Sequence, residues 1–96
     1  MIVGIVRLRL RLPENASLKG KRGVVKSLCA RLQNELHVAA AEVGSNDLWQ
    51  IAEIGVACVA NDRGHADAVL DRVVRFAEGT RLDVELLEVE TELIDA

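Results

Sequence analysis

A chain of 96 residues with a net charge of −3 is long enough for one globular domain and too short for two. Half of its residues are apolar and 28% are charged, which excludes a disordered segment, and its longest apolar stretch, residues 54–60, is far shorter than the roughly 20 residues of a membrane span. We expect one soluble domain over residues 1–96 that is cytoplasmic and without a signal peptide, because arginines follow the apolar start instead of preceding it.

The first third of the chain predicts a strand and then a helix. Apolar and polar residues alternate over residues 2–12, the pattern of a strand with one buried face. The polar side of that strand carries Arg7, Arg9 and Arg11. Pro13 ends the strand, Ser17 has the chemistry of an N-cap, and apolar residues at helical spacing predict a helix over residues 18–34.

The middle of the chain predicts two strands joined by a turn. Residues 36–43 form a short apolar stretch of weak period, and residues 44–47, Gly-Ser-Asn-Asp, have turn chemistry. Residues 49–60 then predict a long strand that is apolar on both sides, which is typical of a central position in a sheet.

The last third predicts a helix and a final strand. Residues 61–64 supply a turn and a helix cap, and an apolar stripe continues to Gly79, a suitable C-terminal stop. Residues 82–93 predict the last strand. Its apolar residues change from even to odd positions at Leu86 and Leu87, which predicts a β-bulge.

The predicted element order is β-α-β-β-α-β, that of a ferredoxin-like α+β domain. In that fold two helices cover one face of a four-stranded antiparallel sheet of strand order 4-1-3-2. The other face would be open, and its apolar surface is too large for a comfortable monomer, so we expect a homodimer or larger homo-oligomer. The candidate interface residues are Val3, Ile5, Trp49, Ile51 and Val59, with Ala57 beside them.

Positive charge is concentrated at the start of the first helix. Residues 1–34 carry eight Lys or Arg against Glu14 alone, a net of +7, whereas residues 35–96 carry a net of −10. Cations near a helix N-terminus oppose the helix dipole, so this segment works against its own stability and is a candidate anion site. The candidate residues for phosphate or RNA are Ser17, Lys19, Lys21, Arg22, Lys26 and Trp49.

Each candidate also has a structural interpretation. The basic turn can be solvated and offset by Glu14, Asp47 or Glu78, and Trp49 can serve packing or an interface. The three strand arginines can track a phosphate backbone, but the acidic last strand should lie beside them, and we favour cross-strand ion pairs.

The remaining polar residues predict neither metal binding nor catalysis. Cys29 and Cys58 lack metal-ligand spacing and should be reduced and buried, and His37 and His65 are far apart in sequence. No phosphate-cradling glycine loop, nucleophile elbow or paired-carboxylate motif is present. We therefore expect no cofactor, no metal and no enzymatic activity.

Four sequence segments resemble a known family. Ser-Leu-Lys-Gly-Lys-Arg at 17–22, followed by 25–28, 41–43 and Asp-Leu-Trp-Gln at 47–50, is similar to the YlxP-like bacterial proteins, a domain family of unknown function. Residue 36 departs from it, because Leu stands where an aromatic is expected. The resemblance implies a ferredoxin-like fold and genes near those for ribosome-binding factor A and translation initiation.

Together these patterns predict a non-enzymatic module that binds RNA or a ribosomal particle through the basic helix start. The alternative is a structural or protein-interaction module whose working unit is a sheet-mediated homodimer.

Overall fold

The computed structural model describes residues 1–79 and 83–96. It contains four strands and two helices in the predicted order. They are β1 (Ile2–Arg11), α1 (Leu18–Leu36), β2 (Ala39–Gly44), β3 (Ile51–Ala60), α2 (Arg63–Gly79) and β4 (Glu85–Asp95).

The strands form one antiparallel sheet of order β2-β3-β1-β4, which confirms the ferredoxin-like arrangement. β1 is central and pairs with β3 from Ile2↔Ala60 to Arg11↔Ile51. Its other neighbour is β4, paired from Ile2↔Asp95 to Arg11↔Glu85. The chain thus brings its basic first strand beside its acidic last one.

The hydrophobic core lies between the two helices and one face of the sheet. Alternate residues of the central strands, such as Val6, Leu8 and Ile54, are at most 1% exposed. They pack against the apolar stripes of the helices, which include Leu32 and Val73. Neither helix is long and apolar enough to cross a membrane in the described part of the chain.

Two predicted element boundaries in the middle of the chain are wrong. The segment 36–38, assigned to a strand, is not one: Leu36 ends α1, and His37 closes it in the left-handed conformation with φ of 56°. β3 begins at Ile51 and not at residue 49, so Trp49 lies in the β2–β3 loop and leaves the set of sheet-face residues.

The predictions for the last third are largely confirmed. Asp62 Oδ1 accepts a hydrogen bond from the His65 backbone N–H at 2.8 Å and caps α2. Leu10 pairs with Leu86 while Arg9 pairs with Glu88, so the bulge falls at Leu87 as predicted. β4 runs later than predicted, from Glu85 to Asp95; the predicted start at residue 82 lies outside the described residues.

The arginine row of β1 pairs with the acidic row of β4, as favoured from the sequence. Arg7 lies 3.7 Å from Glu90 and Arg11 lies 3.6 Å from Glu85. Arg9 forms no ion pair with any residue that the structure describes, and its Nε is buried without a hydrogen bond. Both exposed pairs stabilise the fold little, by about 0–1 kcal/mol each. They give Arg7 and Arg11 a carboxylate partner within the chain, which supports cross-strand pairing over a phosphate track.

Candidate functional site

The start of α1 is a well-formed helix terminus. Ser17 is the N-cap: its backbone is extended, with φ of −157°, and its Oγ accepts a hydrogen bond from the Gly20 N–H at 3.0 Å. The Ser17 carbonyl accepts the Lys21 N–H at 3.1 Å. Ser17 is therefore a capping residue, and its hydroxyl already serves the helix.

Of the predicted anion-binding residues, only Lys21 is buried. Its side chain is 1% exposed and points from α1 into the β2–β3 loop. The ammonium donates to the carbonyls of Ser45 at 2.7 Å, Ile51 at 3.1 Å and Asn46 at 3.3 Å. Because an ammonium has three N–H donors, all three are used. The prediction that Lys21 meets an anionic ligand is corrected: it fastens the loop to the helix.

The charge of Lys21 is balanced by Glu42 of β2, whose Oε2 lies 3.2 Å from the ammonium nitrogen. That oxygen is buried and has no hydrogen bond in the described residues, so the contact is ionic.

Glu42 also affects the thiol of Cys29 in α1. Burial raises the pKa of the Cys29 thiol above its ordinary value, and the Glu42 charge raises it further, which keeps the thiol protonated and unreactive.

A second set of hydrogen bonds holds the same loop to the segment before α1. Asn15 Nδ2 donates both to the Ser17 carbonyl at 2.7 Å and to the Trp49 carbonyl at 2.5 Å. Gln50 Nε2 donates to the carbonyls of Pro13 and Asn15, both at 3.2 Å. One amide group therefore bridges the N-cap and Trp49, which places the Trp49 backbone beside the start of α1.

Three cations on α1 have no partner in the part of the chain that the structure describes. Lys19, Arg22 and Lys26 are exposed, and their side chains form no hydrogen bond or ion pair with the residues for which the structure gives positions. Their spacing of three and then four residues places them on one stripe of the helix. Glu14 and Glu35 are the nearest acidic residues in sequence, so α1 itself offers this stripe no neutralising charge before its last turn.

The β2–β3 loop adds an exposed aromatic side chain to this end of the molecule. Trp49 is 56% exposed and its neighbour Leu48 is 48% exposed, although the loop backbone is held by Lys21 and Asn15. Sequence reasoning identified Trp49 and the cations, but it missed Asn15, Gln50 and Glu42, which position them. Glu42 and Gln50 had a signal, their places in the segments 41–43 and 47–50 that carry the family resemblance.

The other candidates lie on the open face of the sheet. Val3, Ile5, Ile51 and Val59 alternate with buried residues of β1 and β3, and so face away from the helices. Small side chains leave an open groove of about 370 Å³ on this face. It is lined by Ile5, Arg7, Ala39, Ala41, Val43, Gly55 and Ala57.

The structure brings together no set of metal ligands within the ranges 1–79 and 83–96, where no three His, Cys, Asp or Glu side chains cluster. The arrangement at the helix start offers positive charge, an aromatic surface and a rigid backbone. Those features suit binding of an anionic ligand.

The comparisons with known proteins cover most of the chain. The family model described as "Protein of unknown function (DUF503)" matches residues 3–91. "Uncharacterized protein YlxP" of Bacillus subtilis (strain 168) is 32% identical over 77 residues, which is 80% of this chain and 84% of that protein. In agreement with the resemblance seen at residues 17–22 and 47–50, the chain belongs to the DUF503 family, the YlxP-like proteins of unknown function.

Proposed function

We propose that this protein is a non-enzymatic binding module of the cytoplasm that attaches to RNA or to a ribosomal particle. The binding surface consists of Lys19, Arg22 and Lys26 of α1 and Trp49 of the β2–β3 loop; we call it the basic end. Lys21, which is buried, and Ser17, which caps α1, support this surface and do not contact the ligand.

The observation that carries the proposal is the unused charge of the basic end. Like charges three and four residues apart on a helix disfavour it by about 0.2–0.5 kcal/mol per pair. Arg7, Arg11 and Arg63 each lie within 3.7 Å of a carboxylate of this chain. Arg72 and Arg75 of α2 have no such pair among the described residues, but the exposed tryptophan is held at the start of α1 and not beside them. A cation stripe without such a partner, beside an exposed aromatic, matches the way proteins hold a nucleic-acid backbone.

The test is binding of the full chain to purified ribosomal subunits and to ribosomal RNA over a salt series from 50 to about 300 mM. We expect the logarithm of the binding constant to fall linearly with the logarithm of the salt concentration, because each phosphate contact releases a condensed counterion. Binding that does not change with salt, or no binding at the lowest salt, would contradict the proposal.

A second candidate function is that of a homodimer joined through the open sheet face. The specific observation is the exposure of apolar side chains there: Val59 is 68% exposed and Val43 is 54% exposed, beside a groove of small residues. A partner copy would cover this surface in an isologous contact. It would also cover Arg9, whose Nε is buried with no hydrogen-bond partner among the described residues.

Light scattering of the full chain tests the dimer. We expect twice the chain mass at micromolar concentration, and the single-chain mass after Val59→Lys, because a charge cannot be buried unpaired in an apolar contact. Leu87→Lys is the matched control, since Leu87 is an exposed apolar residue at the bulge of β4. A wild-type chain that stays monomeric at high concentration refutes the idea.

A further inference from the structure

The exposure of Trp49 contrasts with the order of its backbone. An indole buries more apolar area than almost any other side chain, so leaving it 56% exposed forgoes a large stabilisation. The loop that carries it is held in place. Lys21 binds two of its carbonyls and the carbonyl of Ile51, where β3 begins, and Asn15 binds the carbonyl of Trp49 itself. The fold therefore presents this ring to solvent on a fixed support.

The neighbouring cations indicate which ligands can contact the Trp49 ring. Lys26 lies seven residues after Lys19 on α1, with Arg22 between them, and the stripe is therefore about 10 Å long at about 1.5 Å per residue. The Asn15 amide that holds the Trp49 carbonyl also holds the Ser17 carbonyl, two residues before Lys19. An aromatic surface and a short row of positive charge thus lie at the same end of the molecule.

We propose that the ligand of the basic end is a single-stranded nucleic-acid segment with one unpaired base stacked on Trp49 and its adjacent phosphates on the cation stripe. This inference rests on the proposed function and specifies its ligand. Base–aromatic stacking needs an open base face, which a continuous duplex keeps covered.

The size of the surface also favours a single strand. Domains that recognise duplex RNA by shape span about 16 base pairs and contact successive grooves. A stripe of about 10 Å is too short for that, and the β1 arginines, which would extend it, are occupied by Glu85 and Glu90 or lie on the sheet face away from the helices. A few nucleotides at a loop, bulge or end of an RNA fit the available surface.

The chain supplies its own reporter for this contact. Trp49 is the only tryptophan and there is no tyrosine, so the intrinsic emission comes from the proposed stacking residue. We would titrate the protein with an unstructured eight-nucleotide RNA, a blunt RNA duplex of 16 base pairs and inorganic polyphosphate, which has the charge without the bases. The expected result is quenching of the emission by the single strand alone, and at least tenfold tighter binding of the single strand than of the duplex.

Variants separate stacking from charge, with fluorescein-labelled RNA as the readout. Trp49→Ala should weaken single-strand binding about tenfold and leave polyphosphate binding unchanged, and Trp49→Phe should retain most of the affinity. Leu48→Ala is the matched control, because it removes an exposed apolar side chain from the adjacent position. Equal, salt-dependent binding of both RNAs with no effect of Trp49→Ala overturns this inference and leaves the proposed function intact. If neither RNA binds, this inference is overturned; the proposed function fails as well only if ribosomal subunits and ribosomal RNA do not bind at the lowest salt.

Discussion

Replacing Lys21 by methionine is expected to lower the free energy of unfolding by about 3–5 kcal/mol, the cost of removing one partner from a buried ion pair. The variant keeps an unbranched side chain of nearly the same length. It leaves the Glu42 carboxylate without its counter-ion and the carbonyls of Ser45, Asn46 and Ile51 without their donor. A domain of this size has about 5–15 kcal/mol in total, so the loss is severe. Urea unfolding followed by circular dichroism measures it.

Lys19→Met is the matched control for Lys21→Met. It makes the same chemical change two residues earlier on the same helix, at a side chain that is exposed and has no ion pair in the described residues. Its effect on stability should stay within about 0.5 kcal/mol. Adding Glu42→Leu to Lys21→Met removes the uncompensated carboxylate and should restore part of the loss. If Lys21→Met and Lys19→Met unfold at the same urea concentration, the buried network is not what holds the loop.

The fold could be predicted from the sequence because its elements have distinct periods. The two-residue alternation of β1, the helical apolar stripes and the turn residues between them determined the element order, and the parity change at Leu86 and Leu87 located the bulge. The start of β2 could not be predicted, because an apolar residue such as Leu36 is compatible with both a helix and a strand. What ends α1 is the left-handed backbone of His37, which its side chain does not signal.

The candidate site was predicted only in part, and Lys21 shows why. Its charge placed it in the basic cluster, but its position places it on the buried stripe of α1, at the spacing 18, 21, 25, 28 and 32. A lysine within an apolar stripe needs an internal partner, and the existence of such a partner could be predicted from the sequence. The partners could not be predicted, because Glu42, two loop carbonyls and the Ile51 carbonyl of β3 come together only through tertiary packing.

The same network explains how a structural lysine serves a surface site. Lys21 and Asn15 hold the β2–β3 loop against the start of α1, and so fix Trp49 relative to Lys19 and Arg22. A preformed surface loses less conformational entropy on binding than a mobile loop would. Of the residues that carry the family resemblance, Ser17, Lys21 and Gln50 therefore build the support, while Lys19, Arg22 and Trp49 remain available for a ligand.

Removing the cation stripe should have the largest effect on binding. In the triple variant Lys19→Ala, Arg22→Ala, Lys26→Ala, three phosphate contacts are lost. For a single strand each contributes about 0.7 to the slope of log K against log salt, so the slope should fall by about 2. At 0.1 M salt this corresponds to an affinity about 100-fold lower. Because these side chains have no partner among the described residues, the variant should fold normally.

The control removes the same charge from the other helix. Arg63→Ala, Arg72→Ala and Arg75→Ala change the net charge equally, and their largest structural loss is the exposed pair of Arg63 with Asp95 at 2.9 Å. Fluorescence anisotropy with labelled single-stranded RNA, measured at four salt concentrations, gives both slopes. If binding depended only on net charge, the two variants would lose affinity alike. If the basic end contacts the RNA, log K of the α2 variant should fall with log salt as steeply as that of the wild type, and log K of the α1 variant should fall less steeply. Only contacted phosphates release their counterions.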